Sequence, residues 1–586
     1  MRRRCLVCAL SAKIRKAAYT FVRVFLGRYI MKKLISILIA AVITASAFIS
    51  SIPAAAVSVA EEGEPRIETY DSCVDWKLDS EGTLTISGTG RMNDYKYFFF
   101  APWTRYASDI KAIVVEEGVE SIGDYAFYGC SSAKSISIPA SVTSIGGAVF
   151  TDCGSVETVT VASGNSVYHS DGNCIIETAS KTLVAGFNSS VIPDDGSVTS
   201  IGGGAFSQCD ALTDIDIPEG VTAIGKSAFY ECSSLASADL PDSLTSIGAD
   251  AFYKCESLEE ITIPGGVGAI GASAFRYCKQ LRSVTIEEGV VTIGDVAFDS
   301  CSSLTSIEIP ASVTDIGELA FGYCAGLEKI TVAEGNTVYH SSGNCLIKTA
   351  DKTLIAGCKR SVIPSDGSVV SIGEFAFYGQ SYLESLDIPY GVTSIEKDAF
   401  QNCTGLTSVT ISGSVAEIGD RAFCRCTSLK SVVIPDSVTS ISAYAFGECT
   451  DLTSVTIPGS VTKICEGAFK FCTSLENITI PDGVKTIELK TFESCKSLEN
   501  IIIPKSLTFI SADVFLGCRS LTDIYYAGTE EEWSKVEVYN LGNDYFKEAD
   551  VYFDYTGQFL PGDVTGDGNI RMSDVLLLRK YISGVA

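Results

Sequence analysis

Three sets of residues have types and spacings that could do chemistry. The twelve-residue run from Asp563 to Asp574 has oxygen-bearing side chains at positions 1, 3 and 5 (Asp563, Thr565, Asp567), glycine at 6 (Gly568) and a carboxylate at 12 (Asp574). Ca²⁺ takes about 6 to 8 oxygen ligands and needs a sharp turn within its loop, so this spacing predicts a calcium loop. The only two histidines, His169 and His340, each stand five residues before a cysteine, Cys174 and Cys345, which raises a thiol nucleophile with an imidazole base. No third residue that would orient the imidazole accompanies them, and Asp171 in the first copy becomes Ser342 in the second, so a surface or packing role is expected. The third set is a row of fourteen cysteines from Cys130 to Cys518, each three residues after a phenylalanine. A metal or redox chain would need an unbroken row, and Gln380 interrupts this one. Parallel, in-register Cβ directions also oppose the disulfide dihedral. The row therefore reads as small buried thiols filling a turn.

The element that positions the cysteines is a repeat. Phe127 and Phe150, Phe206 to Phe321, and Phe377 to Phe515 recur in steps of 23 residues, broken by two steps of 56, which makes fifteen registered modules. One module reads Phe298, Cys301, Leu304, Ile307, Ile309, Pro310, Val313, Ile316, Gly317, Ala320. Ile307 and Ile309 alternate as a strand does, Pro310 ends the pairing, and Gly317 permits a bend into the next Ala-Phe turn. A single unit has too little apolar surface to fold alone, whereas stacked units share one continuous core. Glu396, Ser442, Cys465, Glu488 and Ser511 replace the bend glycine in later modules, where a looser bend is expected.

These residues resemble the BspA-like, or Treponema-type, leucine-rich repeat, whose motif stands here as Ile293-Gly294, Ala297-Phe298, Cys301, Leu304 and Ile309-Pro310. The resemblance covers roughly residues 115–525. It implies a β-rich solenoid, a right-handed array of about fifteen modules used as a binding or adhesion surface. The two long steps hold matching islands, near residues 161–193 and 332–364, whose residues correspond at an offset of 171. Each is expected to hold a hairpin turning at Gly-Asn and a degenerate rung ending in Val191-Ile192-Pro193 or Val362-Ile363-Pro364, an outcrop on the solenoid face. Residues 61–114 and 526–557 are expected to cap the array, with Trp76, Trp103 and Trp533 as apolar lids rather than a carbohydrate platform.

Ahead of the caps, Lys32-Lys33, the apolar run Leu34 to Ile52 and the small residues Ala54 to Ala56 follow the order of a signal peptide, residues 31–60, starting at Met31. Residues 1–30 read as an upstream, mis-assigned start. Export with removal of the apolar run leaves no membrane span and an extracellular or cell-surface protein. A net charge of −27 argues against nucleic acid as a partner, since phosphate binding needs a basic face.

Past Gln558, the calcium-loop run and the apolar Val575-Leu576-Leu577-Leu578 with Tyr581-Ile582 resemble a type I dockerin repeat, a short α-helical tail at residues 558–586. The resemblance implies Ca²⁺ ligation by Asp563, Thr565, Asp567, the Asn569 carbonyl and Asp574, with Met572 and Ser573 facing a cohesin of a scaffold protein. Two departures bear on docking: Thr565 replaces the usual asparagine, and one repeat is seen where a complete dockerin has two. With repeats, caps and tail accounted for, no stretch of ~100 residues remains for a catalytic domain, so a polysaccharide hydrolase is the weaker reading and a non-catalytic binder of host or cell-surface protein or polysaccharide the stronger. A purely structural surface component is a third. The outward strand positions Thr305, Ser306 and Glu308 show no aromatic stripe, and Tyr128, Tyr230, Tyr253 and Tyr378 read as scattered surface aromatics more than as a binding row.

Overall fold

The computed structural model describes residues 66–68, 74–96 and 101–555. Each 23-residue module contributes a longer strand and a short one, and each joins a parallel ladder with its neighbours. Ser306–Ile309 pairs with Lys329–Val332 in register, Ile307 opposite Ile330 and Ile309 opposite Val332. Ile307 and Ile309 are buried while Ser306 and Glu308 are exposed, the alternation a half-buried strand requires. The short strand Asp315–Ile316 pairs in the same way with Thr292–Ile293. The array is a β-solenoid.

The marker phenylalanines form a column through the interior. Phe206, Phe229 and Phe252 stack 5.0 Å apart, and the column continues through Phe275, Phe298 and Phe321 at 5.2 to 6.0 Å. This spacing is set by the strand repeat of about 4.8 Å. Beside it runs the thiol column. Cys232, Cys255 and Cys278 are fully buried, and each Sγ donates to the carbonyl of the preceding marker, as Cys232 does to Phe206 at 3.0 Å. The nineteen described cysteines are all free. Burial pushes the thiols of Cys232, Cys403 and Cys518 up to about 12. They are small protonated donors that satisfy a carbonyl where a larger side chain would clash.

Two expectations need correction in full and a third in part. The core is not one continuous unit: among the described residues it divides into three clusters whose borders fall at the islands. Each island is a partition rather than an outcrop. Tyr168–Asp171 and Cys174–Glu177 form the expected hairpin, with Gly172 and Asn173 both left-handed at its turn. A third strand, Thr182–Ala185, pairs antiparallel to it and parallel to Ser200–Ile201 of the next module. Ile175 packs into the core before the island, while Cys174 and Ile176 pack into the one after it. Both faces of this strand are apolar because both are covered. Residues 191–193 form no strand, although Ile192 is buried in the core; Val191 donates its N–H to Gly172, and a Cβ on Gly172 would meet the Val191 carbonyl at 1.9 Å.

The bend is no looser at three of the five positions where glycine is lost: Glu396, Cys465 and Ser511 donate to the preceding module at 2.9, 2.9 and 3.0 Å, as Gly294 does at 3.0 Å. Ser442 and Glu488 do not make this bond, as a looser bend predicts. The caps behave as lids. Trp103 is buried, donates Nε1 to Ala126 at 2.7 Å and faces Phe127 at 6.1 Å, with Trp76 edge-on behind it. At the other end Phe546 stacks on Phe515 at 4.5 Å, and Trp533 packs against Phe546.

Candidate binding surface

The Ala-Phe turn determines what each module shows to solvent. The residues two before and two after the marker are left-handed in module after module: Ser227 and Glu231 around Phe229, Asp250 and Lys254 around Phe252, Arg421 and Arg425 around Phe423. A non-glycine residue held there costs of order 1 to 3 kcal/mol. Inter-module hydrogen bonds hold it: Ser227, Phe229 and Glu231 donate to Ala249, Ala251 and Tyr253 at 2.9, 2.7 and 2.7 Å. The alternating backbone turns the side chains flanking Phe229 outward while the Phe ring points in. Positions −2, +1 and +2 from the markers thus form three columns at the surface, one module per rung, mostly half-buried, with Thr151, Ser207, Asp299, Asp398 and Cys424 buried within them.

These columns carry most of the sequence variety of the array. Lys254 reaches Glu231 at 2.6 Å, Arg276 reaches Asp299 at 2.9 Å, and Arg421 grips Asp398 with both forks at 2.7 and 2.9 Å. Tyr230 and Tyr253 stack at 4.9 Å with planes 4° apart, Tyr277 meets Tyr253 edge-on at 5.6 Å, and Arg276 lies over Tyr277 at 4.9 Å. The tyrosines therefore form short clusters, Tyr230 with Tyr253 and Tyr277, and Tyr323 with Tyr378, rather than one continuous row. Tyr277 and Tyr323 belong with them although they stand one residue later than Tyr230 and Tyr253. Burial, then the Glu231 charge, pushes the Tyr230 phenol up to about 12, so it stays a neutral donor. Burial opposes ionisation of Glu231, but hydrogen bonds from Lys254 and Gln208 outweigh it and hold the carboxyl below its ordinary value. The longer strands, by contrast, present mostly small, hydroxyl or acidic groups outward, such as Ser283 and Thr285 or Ser306 and Glu308, with Lys329 and Val433 as exceptions.

The histidine-cysteine pairs do not meet. His169 Nδ1 pairs with the Thr178 hydroxyl at 2.8 Å, and His340 with Thr349 at 3.0 Å. Cys174 and Cys345 point their Sγ at backbone carbonyls, and burial pushes both thiols up to about 12, away from the thiolate a nucleophile needs. Among the described residues no group of three or more His, Cys, Asp or Glu could hold a metal ion. The predicted calcium ligands Asp563, Thr565, Asp567, Asn569 and Asp574, the predicted docking residues Met572 and Ser573, and the predicted signal segment at residues 31–60 all lie outside the described residues.

The family description "BspA type Leucine rich repeat region" matches six copies, within residues 104–175, 184–287, 245–351, 348–472 and 416–543. The chain belongs to the BspA-type leucine-rich repeat family. Among solved structures it is similar to a leucine rich cell surface protein from Faecalibacterium prausnitzii, at 26% identity over 81% of this chain and 99% of that one, with a TM-score of 0.37. A leucine-rich repeat protein from Bacteroides ovatus is 24% identical over 85% and 99% of the two chains, TM-score 0.42. The leucine rich repeat protein of T. pallidum is 31% identical over 31% of this chain and 86% of its own, TM-score 0.28. Comparison with curated proteins finds no match. Within this BspA-type array, the −2, +1 and +2 columns differ widely in chemistry while the Phe position stays fixed and the Cys, Leu and Ile positions stay apolar apart from Gln380. Their signal in the sequence is the recurrence of charges and tyrosines at a 23-residue offset, as in Glu231 and Lys254.

Proposed function

We propose that this protein is an exported, non-catalytic surface protein that recognises protein or glycan ligands through the outward columns of its Ala-Phe turns. The observation that carries this reading is the left-handed pair flanking the markers. The solenoid accepts backbone strain on each side of the buried ring, and the result is a regular, densely bonded grid of half-exposed side chains whose chemistry changes from rung to rung. A grid of this kind offers a long recognition surface without a deep pocket, as repeat arrays do. The resemblance of residues 558–586 to a dockerin repeat supports a second role, in which a Ca²⁺-loaded loop ties the array to a cohesin-bearing scaffold.

The test is saturable binding of the purified chain to immobilised cell-surface proteins, matrix proteins and polysaccharides, measured with and without Ca²⁺. The reading expects binding by the array irrespective of Ca²⁺, and binding to a cohesin only in its presence. Turnover of a polysaccharide by the purified chain, or no saturable binding to any surface, would overturn it.

A further inference from the structure

The duplicated block supplies its own control, because each position at the first island has a counterpart 171 residues later at the second. At both islands the regular bonding between neighbouring turns is interrupted. Where Phe229 would donate to Ala251, the junction instead has Gly186 donating to Ala205 at 2.8 Å and Asp152 to Ser207 at 3.3 Å, with the counterparts Gly357 to Ala376 and Tyr323 to Tyr378 in the second copy. The outer side of the first junction is an open groove of about 580 Å³. Its floor is made of small residues, Ala148, Thr151, Gly203, Gly204 and Ser207. Tyr125 and Tyr128, 6.1 Å apart, stand on one side, and Tyr230, backed by Tyr253, on the other.

The second junction shows that the fold does not require this groove. There Leu319, Glu374, Phe375 and Tyr378 stand at the floor positions 148, 203, 204 and 207. Phe375 packs edge-on against Tyr378 at 5.6 Å, and Tyr323 against Tyr378 at 5.1 Å, so aromatic rings crowd the space, and a smaller cavity of about 210 Å³ lined in part by Leu319, Glu374, Phe375 and Tyr378 remains. The backbone is the same: φ is 67° at Gly204 and 59° at Phe375. A Cβ on Gly204 would have nothing nearer than Ser207 Cβ at 4.0 Å. The walls change with the floor. Val296, Asp299 and Gln401 stand where the first copy has Tyr125, Tyr128 and Tyr230. Aromatic walls thus accompany the open floor, and aromatic filling accompanies their loss.

We propose that the first-junction groove is a subsite for a neutral pyranose unit of an oligosaccharide, a proposal that deepens the surface-binding reading above and rests on it. Tyrosine faces are electron-rich and flat, suited to the C–H face of a sugar ring, and their hydroxyls remain at the wet edge. Thr151 and Ser207 bring hydroxyls to the floor, and Gln208 brings an amide to the rim. The volume falls within the ~300 to 1,000 Å³ usual for small-molecule sites. Nothing in the groove selects an anion: Lys226 is its one lysine, and Glu231 stands opposite, held by Lys254 and Gln208. An extended peptide would need an unpaired strand edge to add to, whereas on the Gly204–Gln208 side of the groove the backbone is already paired, Gly204 donating to Lys226 at 2.9 Å and Gln208 to Tyr230 at 2.7 Å.

The test is titration calorimetry of the full chain with cellohexaose, xylohexaose, mannohexaose and maltohexaose, with hexagalacturonate as the charged control. At least one neutral oligosaccharide is expected to bind saturably and more tightly than hexagalacturonate. The double variant Gly204→Phe, Ser207→Tyr installs the side chains of the second junction and is expected to weaken that binding at least tenfold. Tyr230→Ala, which leaves the floor untouched, is expected to weaken it similarly, so a folding failure of the plugged variant does not shelter the proposal. No neutral binding, tighter hexagalacturonate binding, or unchanged affinity in Tyr230→Ala would overturn it. Persistence of cell-surface binding by a chain that takes no oligosaccharide would sink this subsite alone; loss of surface binding as well would sink the broader reading.

Discussion

Replacing Phe298 by alanine removes a ring that is fully buried and stacked on both faces, on Phe275 at 5.4 Å and on Phe321 at 6.0 Å. A buried Phe→Ala change costs about 3 to 5 kcal/mol, and each aromatic pair contributes about 0.5 to 1.5 kcal/mol beyond its area. With two pairs lost and neighbours held by strand ladders that prevent collapse, Phe298→Ala is expected near the top of that range, about 5 kcal/mol. Phe150 is the natural comparison. It is 8% exposed, stacks on Phe127 at 5.8 Å, meets Phe187 only edge-on, and borders a gap of about 190 Å³ at the first junction. Its loss is expected to cost about 3 kcal/mol. Because each module contacts only its neighbours, the damage should be local. Hydrogen exchange read module by module, with guanidinium unfolding for the totals, checks both points. Equal costs at the two sites, or a loss of protection spread evenly from Phe127 to Phe515, would refute the stacked-column account.

The thiol column predicts alkaline weakening. Cys232, Cys403 and Cys518 titrate near 12 when folded, against about 8.5 when unfolded. Below pH ~8.5 both states hold the proton, and their contribution is complete; above it the unfolded chain releases protons that the folded chain keeps, so stability falls as pH rises toward 12, by about 1.4 kcal/mol per pH unit for each thiol. Urea midpoints measured between pH 7.5 and 10.5 should drop, and Cys→Ala at these positions should flatten the drop. Asn165 clamps the first island, donating Nδ2 to Pro139 and Val142 at 2.8 and 2.9 Å and accepting from Val167 and Tyr168 at 2.9 and 2.8 Å. At about 0.5 to 1.5 kcal/mol per bond, Asn165→Ala should cost roughly 2 to 6 kcal/mol and release the amides of Val167 and Tyr168 to exchange. Asn336 makes the same four bonds in the second copy, and its variant should do the same to Val338 and Tyr339. Calorimetric Ca²⁺ binding by the full chain should vanish in Asp563→Ala and Asp574→Ala; unchanged binding would remove the tail loop from the account.

The repeat was legible because the packing residues recur at one period: a Phe, a Cys and a pair of Ile cannot hold a common 23-residue register unless they share a core. The hairpin at Gly172-Asn173 was legible for a local reason, since two successive left-handed residues favour that pair. The left-handed residues at the Ala-Phe turn were not, because Ser, Asp, Lys, Arg and Tyr occupy them and no local preference announces the conformation; the hydrogen bonds to the next module impose it. Phe187 escaped notice for a related reason. It extends the ring column beside Phe150 from within the island, outside the period, and its counterpart in the second copy is Cys358. The partitioning role of the islands was hidden too, since Cys174-Ile175-Ile176 reads as one apolar run until two cores are seen to share it.

The measurement that bears most directly on the central claim is hydroxyl-radical footprinting of the full chain with and without a saturably bound surface ligand. Protection is expected at side chains of the −2, +1 and +2 columns, among them Tyr230, Lys254 and Tyr277, with the strand positions Ser283, Thr285, Ser306 and Glu308 unchanged. Protection confined to those strand positions, with the turn columns as reactive as in the free chain, would contradict it.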